Sequence, residues 1–145
     1  MNMVCAVFAG VLLTTACAAV SGEKAVSRLG ERFSLHVGES VSIPQQGLHV
    51  QFDAVVADSR CAKGEQCVWA GDGIIRVSLH REDDASESRE LHTASHRARI
   101  ADFNGFTVEL LALDPARIAG RAIDPANYIA TLKVAVGSVA EDGSR

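Results

Sequence analysis

The sequence predicts an all-β antiparallel sandwich of seven or eight strands, Ig-like or barrel-like and without substantial helix, and three observations carry that expectation. Apolar and polar residues alternate with period two in one segment after another between Phe33 and Val136. Across 31–137 no window of eleven residues holds a convincing helical period. Phe103-Asn104-Gly105-Phe106 is the strongest hairpin signal, because an Asn-Gly pair tolerates the positive φ angles of a type I′ turn. A sheet that is apolar on one face must cover that face, and where only strands are available the cover is another sheet.

Before the first strand, residues 1–17 read as an export signal. Met3 to Val20 contains no charged residue, and Val4 to Leu13 has the length of a signal h-region, short for a spanning helix. Met1-Asn2-Met3 lacks the usual Lys or Arg of an n-region. Leu13-Thr14-Thr15-Ala16-Cys17 resembles a bacterial lipobox, although its Leu stands one step further from the Cys than that motif asks. Lipidation at Cys17 would tie the chain to a bilayer. Ordinary cleavage among Ala16 to Ala19 and an uncleaved anchor are the alternatives, and all three place the domain outside the cytoplasm, in the periplasm or at the cell surface. Residues 18–31, small and polar without a period, read as a flexible tether.

The sandwich is expected over 32–138. Phe33, Leu35 and Val37 alternate with Arg32, Ser34 and His36, and Gly38-Glu39 turns the chain into Val41 and Ile43. Leu48, Val50 and Phe52 alternate with His49, Gln51 and Asp53, and the strand runs on to Asp58; Ile75, Val77 and Leu79 then alternate with Arg76, Ser78 and His80. Glu82 to Ser88 is an acidic run that reads as a solvated hairpin tip. Ala98 to Asp102 is weakly patterned, Phe106, Val108 and Leu110 form a clear strand, and Tyr128 to Val136 closes the domain ahead of a disordered tail, 139–145.

Composition narrows the partners. With 14 Lys and Arg against 18 Asp and Glu, the net charge is −4 and no basic block is present, so a surface that tracks nucleic-acid phosphates is not expected. Of the four cysteines, Cys5 lies in the h-region and Cys17 is the lipidation candidate. Cys61 and Cys67 remain, and an oxidising compartment would join them in a disulfide. Closing a loop of seven residues is worth about 2.4 kcal/mol by chain entropy, which makes it a local staple.

The least generic stretch is Asp58-Ser59-Arg60-Cys61-Ala62-Lys63-Gly64-Glu65-Gln66-Cys67-Val68-Trp69-Ala70-Gly71. It resembles the signature of a family of small bacterial envelope proteins, many of them lipoproteins, in which Asp-Ser-Arg-Cys-Pro leads to Cys-Val-Trp-Ala-Gly before a strand. The likeness continues more loosely over 33–136, with Ala62 where the family has Pro. The resemblance implies an exported, envelope-located protein and brings no activity with it. Read as residues, Cys67 and Trp69 would share a face in an extended chain, so the indole is expected to pack by the disulfide and plug the sandwich. Asp58 is expected to accept from backbone N–H groups of the turn or to pair with Arg60, and Gly64, Gly71 and Gly73 permit tight bends. The functional alternative is a stiff loop presenting Lys63, Glu65 and Gln66 to a partner.

No Gly-x-Ser-x-Gly elbow, His-Glu-x-x-His, phosphate loop or EF-hand spacing occurs, and both domain cysteines are spoken for, so no catalytic residue is nominated. His36, His49 and His80 fall on the polar phase of their strands and are expected to face solvent unpaired. His92 and His96 share a face in either helix or strand and could take Zn²⁺ or Cu²⁺, with no third ligand evident. Asp53, Asp58 and Asp72 could offer oxygens to Ca²⁺. No cofactor is expected. The leading expectation is therefore a non-enzymatic envelope module with a binding or structural role and an envelope protein as partner. One alternative is a secreted inhibitor that inserts the Cys61–Cys67 loop into a foreign hydrolase. A second is a metal-dependent binder using His92 and His96.

Overall fold

The computed structural model describes residues 25–82, 84–94 and 97–137. The expected signal, Cys17, His96 and the tail 139–145 lie outside the described residues. The strands are β1 (Ala25–Val26), β2 (Arg32–His36), β3 (Ser40–Ile43), β4 (Leu48–Asp58), β5 (Gly73–Arg81), β6 (Glu87–His92), β7 (Ile100–Phe103), β8 (Phe106–Asp114) and β9 (Ile129–Val136). They form one sheet of five strands, ordered β1-β3-β4-β5-β6, and one of four, ordered β2-β9-β8-β7. All pairings are antiparallel except that of β1 with β3. The result is the sandwich-like all-β fold that the alternation predicts.

Its cause is visible in the burial pattern. Leu48, Val50 and Phe52 of β4, Ile75, Val77 and Leu79 of β5, Val108 and Leu110 of β8 and Leu132 and Val134 of β9 are all fully buried, while the residues between them are not. These inward positions form one apolar cluster together with Leu35, Val41, Ile43, Leu91, Phe103 and Phe106. At the Asn-Gly turn Asn104 and Gly105 both take positive φ, 46° and 81°, as a type I′ hairpin requires.

Two elements depart from the sequence reading. The five-stranded sheet begins inside the stretch assigned to the tether: Ala25 and Val26 pair with Val41 and Ser42, and Ser27 is buried with its N–H donated to Ser42. The described residues of the acidic run are exposed at the β5–β6 hairpin, as a solvated tip should be, but its last two, Glu87 and Ser88, already belong to β6. β6 is an edge strand with one buried residue, Leu91, so it has almost no apolar phase to read.

The long strand β4 positions the cysteine loop. Its register against β5 shifts between Phe52 and Ala54 and again between Val55 and Ala57, so the strand bends and its last residues leave the core. Asp58 and Gly73 close the ladder as its last pair, and everything between them projects beyond that end of the sheet.

Candidate functional site

Past Asp58 the hairpin narrows into a neck. Ser59 donates its N–H to the Asp72 carbonyl (2.7 Å), Asp72 donates its own to Ser59 Oγ (3.1 Å), and Cys61 donates to the Ala70 carbonyl (3.0 Å). Gly71 makes the neck possible: its φ is +70°, and a Cβ there would lie 1.8 Å from the Ser59 carbonyl oxygen. Beyond the neck the Cys61–Cys67 disulfide closes the tip, with Cα atoms 5.9 Å apart.

Arg60 ties the neck to the opposite sheet. Its Nε donates to Asp58 Oδ1 (2.8 Å) and its Nη2 to Asp58 Oδ2 (2.7 Å), a bidentate fork. The same guanidinium donates to the Pro115 carbonyl (2.9 Å) and to that of Leu113, where β8 ends. Tyr128, just before β9, donates its hydroxyl to Asp58 Oδ2 (3.0 Å), and Arg117 Nη1 donates to the Arg60 carbonyl (2.6 Å). A further strap joins backbones: Lys63 donates to the Arg117 carbonyl (2.8 Å) and Ala119 to the Lys63 carbonyl (3.0 Å). Burial alone would raise the Asp58 carboxyl. The Arg60 fork, the Arg60 N–H and the Tyr128 hydroxyl outweigh it and hold the group below its ordinary value. The Arg60 guanidinium is shifted upward, first by the Asp58 hydrogen bonds.

A second carboxylate organises the other side of the neck. Asp72 Oδ1 accepts from the N–H groups of Thr93 (3.1 Å) and Ala94 (3.0 Å) and from the Thr93 hydroxyl (3.2 Å), while Oδ2 lies 2.6 Å from His92 Nδ1. Burial would raise this carboxyl too, but the His92 contact and the Ala94 N–H bring it below its ordinary value.

These clamps contrast with what they hold. Lys63, Glu65 and Gln66 are exposed, as the presented-loop alternative expects. Val68 is 88% exposed and Trp69 82%, so the indole does not plug the sandwich. The expectation failed because it assumed an extended chain from Cys67 to Trp69; no strand runs between Lys63 and Gly73, Val68 and Trp69 form a bend, and Cys67 itself faces solvent. Beside the indole lies an open groove of about 510 Å³ whose walls include Val68, Trp69, Ser59, Ala94 and Arg97.

The remaining nominated residues sort differently. Asp53, Asp58 and Asp72 do not converge on a cation: Asp53 accepts from Ser78 Oγ (2.7 Å), and the other two are occupied by the donors described above. His92 is committed to Asp72 and its intended partner His96 lies outside the described residues; among the described residues no group of three or more His, Cys, Asp and Glu side chains could hold a metal. His36 is exposed, as expected, but His49 and His80 are neither solitary nor fully exposed: their rings stack with centroids 4.7 Å apart. Sequence reasoning missed that pair because it considered the strands one at a time. Tyr128 and Arg117 were missed as clamp residues because the partners they hold are 70 and 57 positions away in the chain. No family model, curated protein or solved structure matches the chain.

Proposed function

We propose that this chain is an exported, lipid-anchored, non-enzymatic module of the bacterial envelope that binds a protein partner through the bend at Val68 and Trp69. The observation that carries the reading is the exposure of a Val-Trp pair on a loop whose base is pinned by Arg60, Asp58, Tyr128 and a disulfide. Large aromatic side chains held in advance on a rigid support are typical anchors of protein interfaces, because little freedom is lost when they dock. The lipobox-like run ending at Cys17 and the likeness of 58–71 to envelope lipoproteins support the location. The absence of a complete catalytic motif in the sequence supports the non-enzymatic part.

The test is a photo-crosslinker placed at Gln66 in cells making the full chain. One discrete envelope adduct is expected, lost in Trp69→Ser and kept in His36→Gln. An adduct indifferent to Trp69 would remove the bend from the reading. Replacing Cys17 by Ser should release the protein from the membrane fraction, and unchanged partition would refute lipidation there. A second reading, inhibition of a foreign hydrolase, is favoured by the outward Lys63, Glu65 and Gln66. It predicts that the purified protein blocks a secreted hydrolase and that charge reversal at Lys63 weakens the block; inhibition untouched by tip substitutions would end it.

A further inference from the structure

We infer, resting on the docking role proposed for Val68 and Trp69, that the partner offers an acidic segment: an apolar side chain seated against the indole, flanked by carboxylates that reach Arg97 and Arg99. Arg97 is a wall common to two grooves. On one side it borders the groove that holds Val68, Trp69 and Ala94. On the other it shares a second open groove, of about 450 Å³, with Arg99, Ile100 and Glu109. Both arginines lie on the crossing from β6 to β7, where the backbone is fixed at each step. Arg97 donates its N–H to the Ala94 carbonyl (3.1 Å), the Ala98 carbonyl accepts from the His92 N–H (3.0 Å), and the Arg99 carbonyl accepts from the Leu110 N–H (2.9 Å). The backbone that carries the two cations is therefore set before anything docks.

Charge decides the occupant. Among the described residues neither guanidinium pairs with a carboxylate. Arg97 is exposed; Arg99 is half-buried, donates Nη2 to the Leu110 and Leu111 carbonyls (3.1 and 3.2 Å) and leaves its buried Nε without an acceptor. The carboxylates that border the two grooves are already engaged: Glu109 lies 3.2 Å from Lys133 Nζ, and Asp72 holds His92, Thr93 and Ala94. The strip from Trp69 to Ile100 thus keeps two uncompensated positive charges on a chain whose net charge is −4. A neutral or basic segment would leave them unanswered, whereas a carboxylate meets a guanidinium with paired, charge-assisted hydrogen bonds. Trp69 at one end of the strip and the exposed Ile100 at the other supply the apolar contacts between which those charges fall.

The test titrates the full chain with dye-labelled acetyl-Asp-Glu-Phe-Glu-Asp-amide, read by anisotropy and by Trp69 emission, beside the Asn-Gln-Phe-Gln-Asn and Lys-Lys-Phe-Lys-Lys versions. The acidic peptide is expected to bind about tenfold or more tighter than either and to move the emission to the blue. Arg97→Glu should weaken it about tenfold, Arg32→Gln on the far edge of the same sheet should leave it unchanged, and raising sodium chloride from about 0.05 M to about 0.5 M should weaken it several-fold. NMR of the unsubstituted chain gives an answer that depends on no variant folding: the acidic peptide should shift the guanidinium signals of Arg97 and Arg99 first. No binding of the acidic peptide, equal binding of the three, or an affinity indifferent to Arg97→Glu would overturn the acidic segment. A blue shift on phosphatidylglycerol vesicles without a response to the peptide would give the strip to a lipid surface and overturn it as well. The Gln66 crosslink in cells separates this from the docking role itself: an adduct lost in Trp69→Ser but kept in Arg97→Glu would leave the bend as the docking site and refute its acidic partner, whereas loss in both is expected.

Discussion

The neck and the tip of the cysteine loop are neighbours in sequence and opposites in physics. At the neck, Asp58, Arg60 and Gly71 have almost no alternative positions: the side chains of the first two are 7% and 16% exposed, and the third has no room for a Cβ. At the tip, from Lys63 to Ala70, every residue is exposed, including the apolar Val68 and Trp69. Rigidity concentrated in one part and exposed apolar surface in the other separate a folding duty from an interaction duty. Substitutions at the neck should therefore destabilise the protein, and substitutions at the tip should disturb only what the protein touches.

The sharpest way to break the comparison is at glycine. Gly71→Ala places a methyl group 1.8 Å from the Ser59 carbonyl carbon's oxygen at a φ of +70°, so the neck must open. The expected loss is about 4 kcal/mol or more, read as a fall in the urea midpoint. At the tip, Gly64 has a similar φ of +93°, but its Cβ would meet only Ala119 Cβ at 3.6 Å. Gly64→Ala should cost about 1 kcal/mol, the conformational penalty alone. Equal losses at the two glycines would erase the distinction.

Arg60→Met comes next. It leaves Asp58 without its fork and takes a donor from the carbonyls of Leu113 and Pro115, for an expected loss of about 3 kcal/mol. The substitution should also change the acid limb of stability. The folded Asp58 and Asp72 carboxyls titrate below their ordinary value of 3.8, so the stability they contribute is present above that pH and is lost as pH falls through the lowered values. Removing Arg60 should shrink the part of that limb due to Asp58 and leave the part due to Asp72. Denaturant midpoints between pH 6 and pH 2 would show it, and an unchanged acid limb would detach Asp58 from the clamp.

How much of this the sequence could disclose depends on the range of each interaction. β4 and β5 were legible because their alternation is local and nearly uninterrupted. β6 was not, because Glu87-Ser88-Arg89-Glu90 offers no apolar phase before Leu91. The Asp58–Arg60 pair was named in advance because its members are two residues apart, whereas Tyr128 and Arg117 reach it from the connection between β8 and β9, far along the chain. Trp69 was misplaced by a single assumption, that the chain stays extended after Cys67. Aromatic character identified it as a residue with consequences, but whether the indole meets the core or the solvent is decided by backbone geometry between Cys61 and Gly73 that no periodicity encodes.

Reducing the Cys61–Cys67 bond tests the boundary between the two regions. A loop of this size contributes about 2.4 kcal/mol, less than the expected loss at Gly71 or Arg60. The neck keeps its own hydrogen bonds at Ser59, Cys61 and Asp72, and Lys63 keeps its strap to Arg117 and Ala119. The reduced protein should therefore remain folded at room temperature with a lower urea midpoint. Its partner crosslinking should weaken, since the exposed bend is no longer closed. Complete unfolding on reduction would make the bond a global clamp rather than a local one.

The smallest effect is expected at the largest side chain. Trp69→Ser removes an indole that is 82% exposed, so stability should change by no more than about 0.5 kcal/mol, which sets it apart from a core aromatic at about 3–5 kcal/mol. Fluorescence gives the same comparison without a substitution, because Trp69 is the only tryptophan in the chain. Its emission should already be solvent-like in the native oxidised protein, open to iodide quenching, and should shift little when the disulfide is reduced or the chain is unfolded in urea. Bound partner should move it to the blue and protect it from iodide. A native emission that is already blue and shielded in the isolated protein would place the indole against apolar surface and return it to the plugging role that the sequence first suggested.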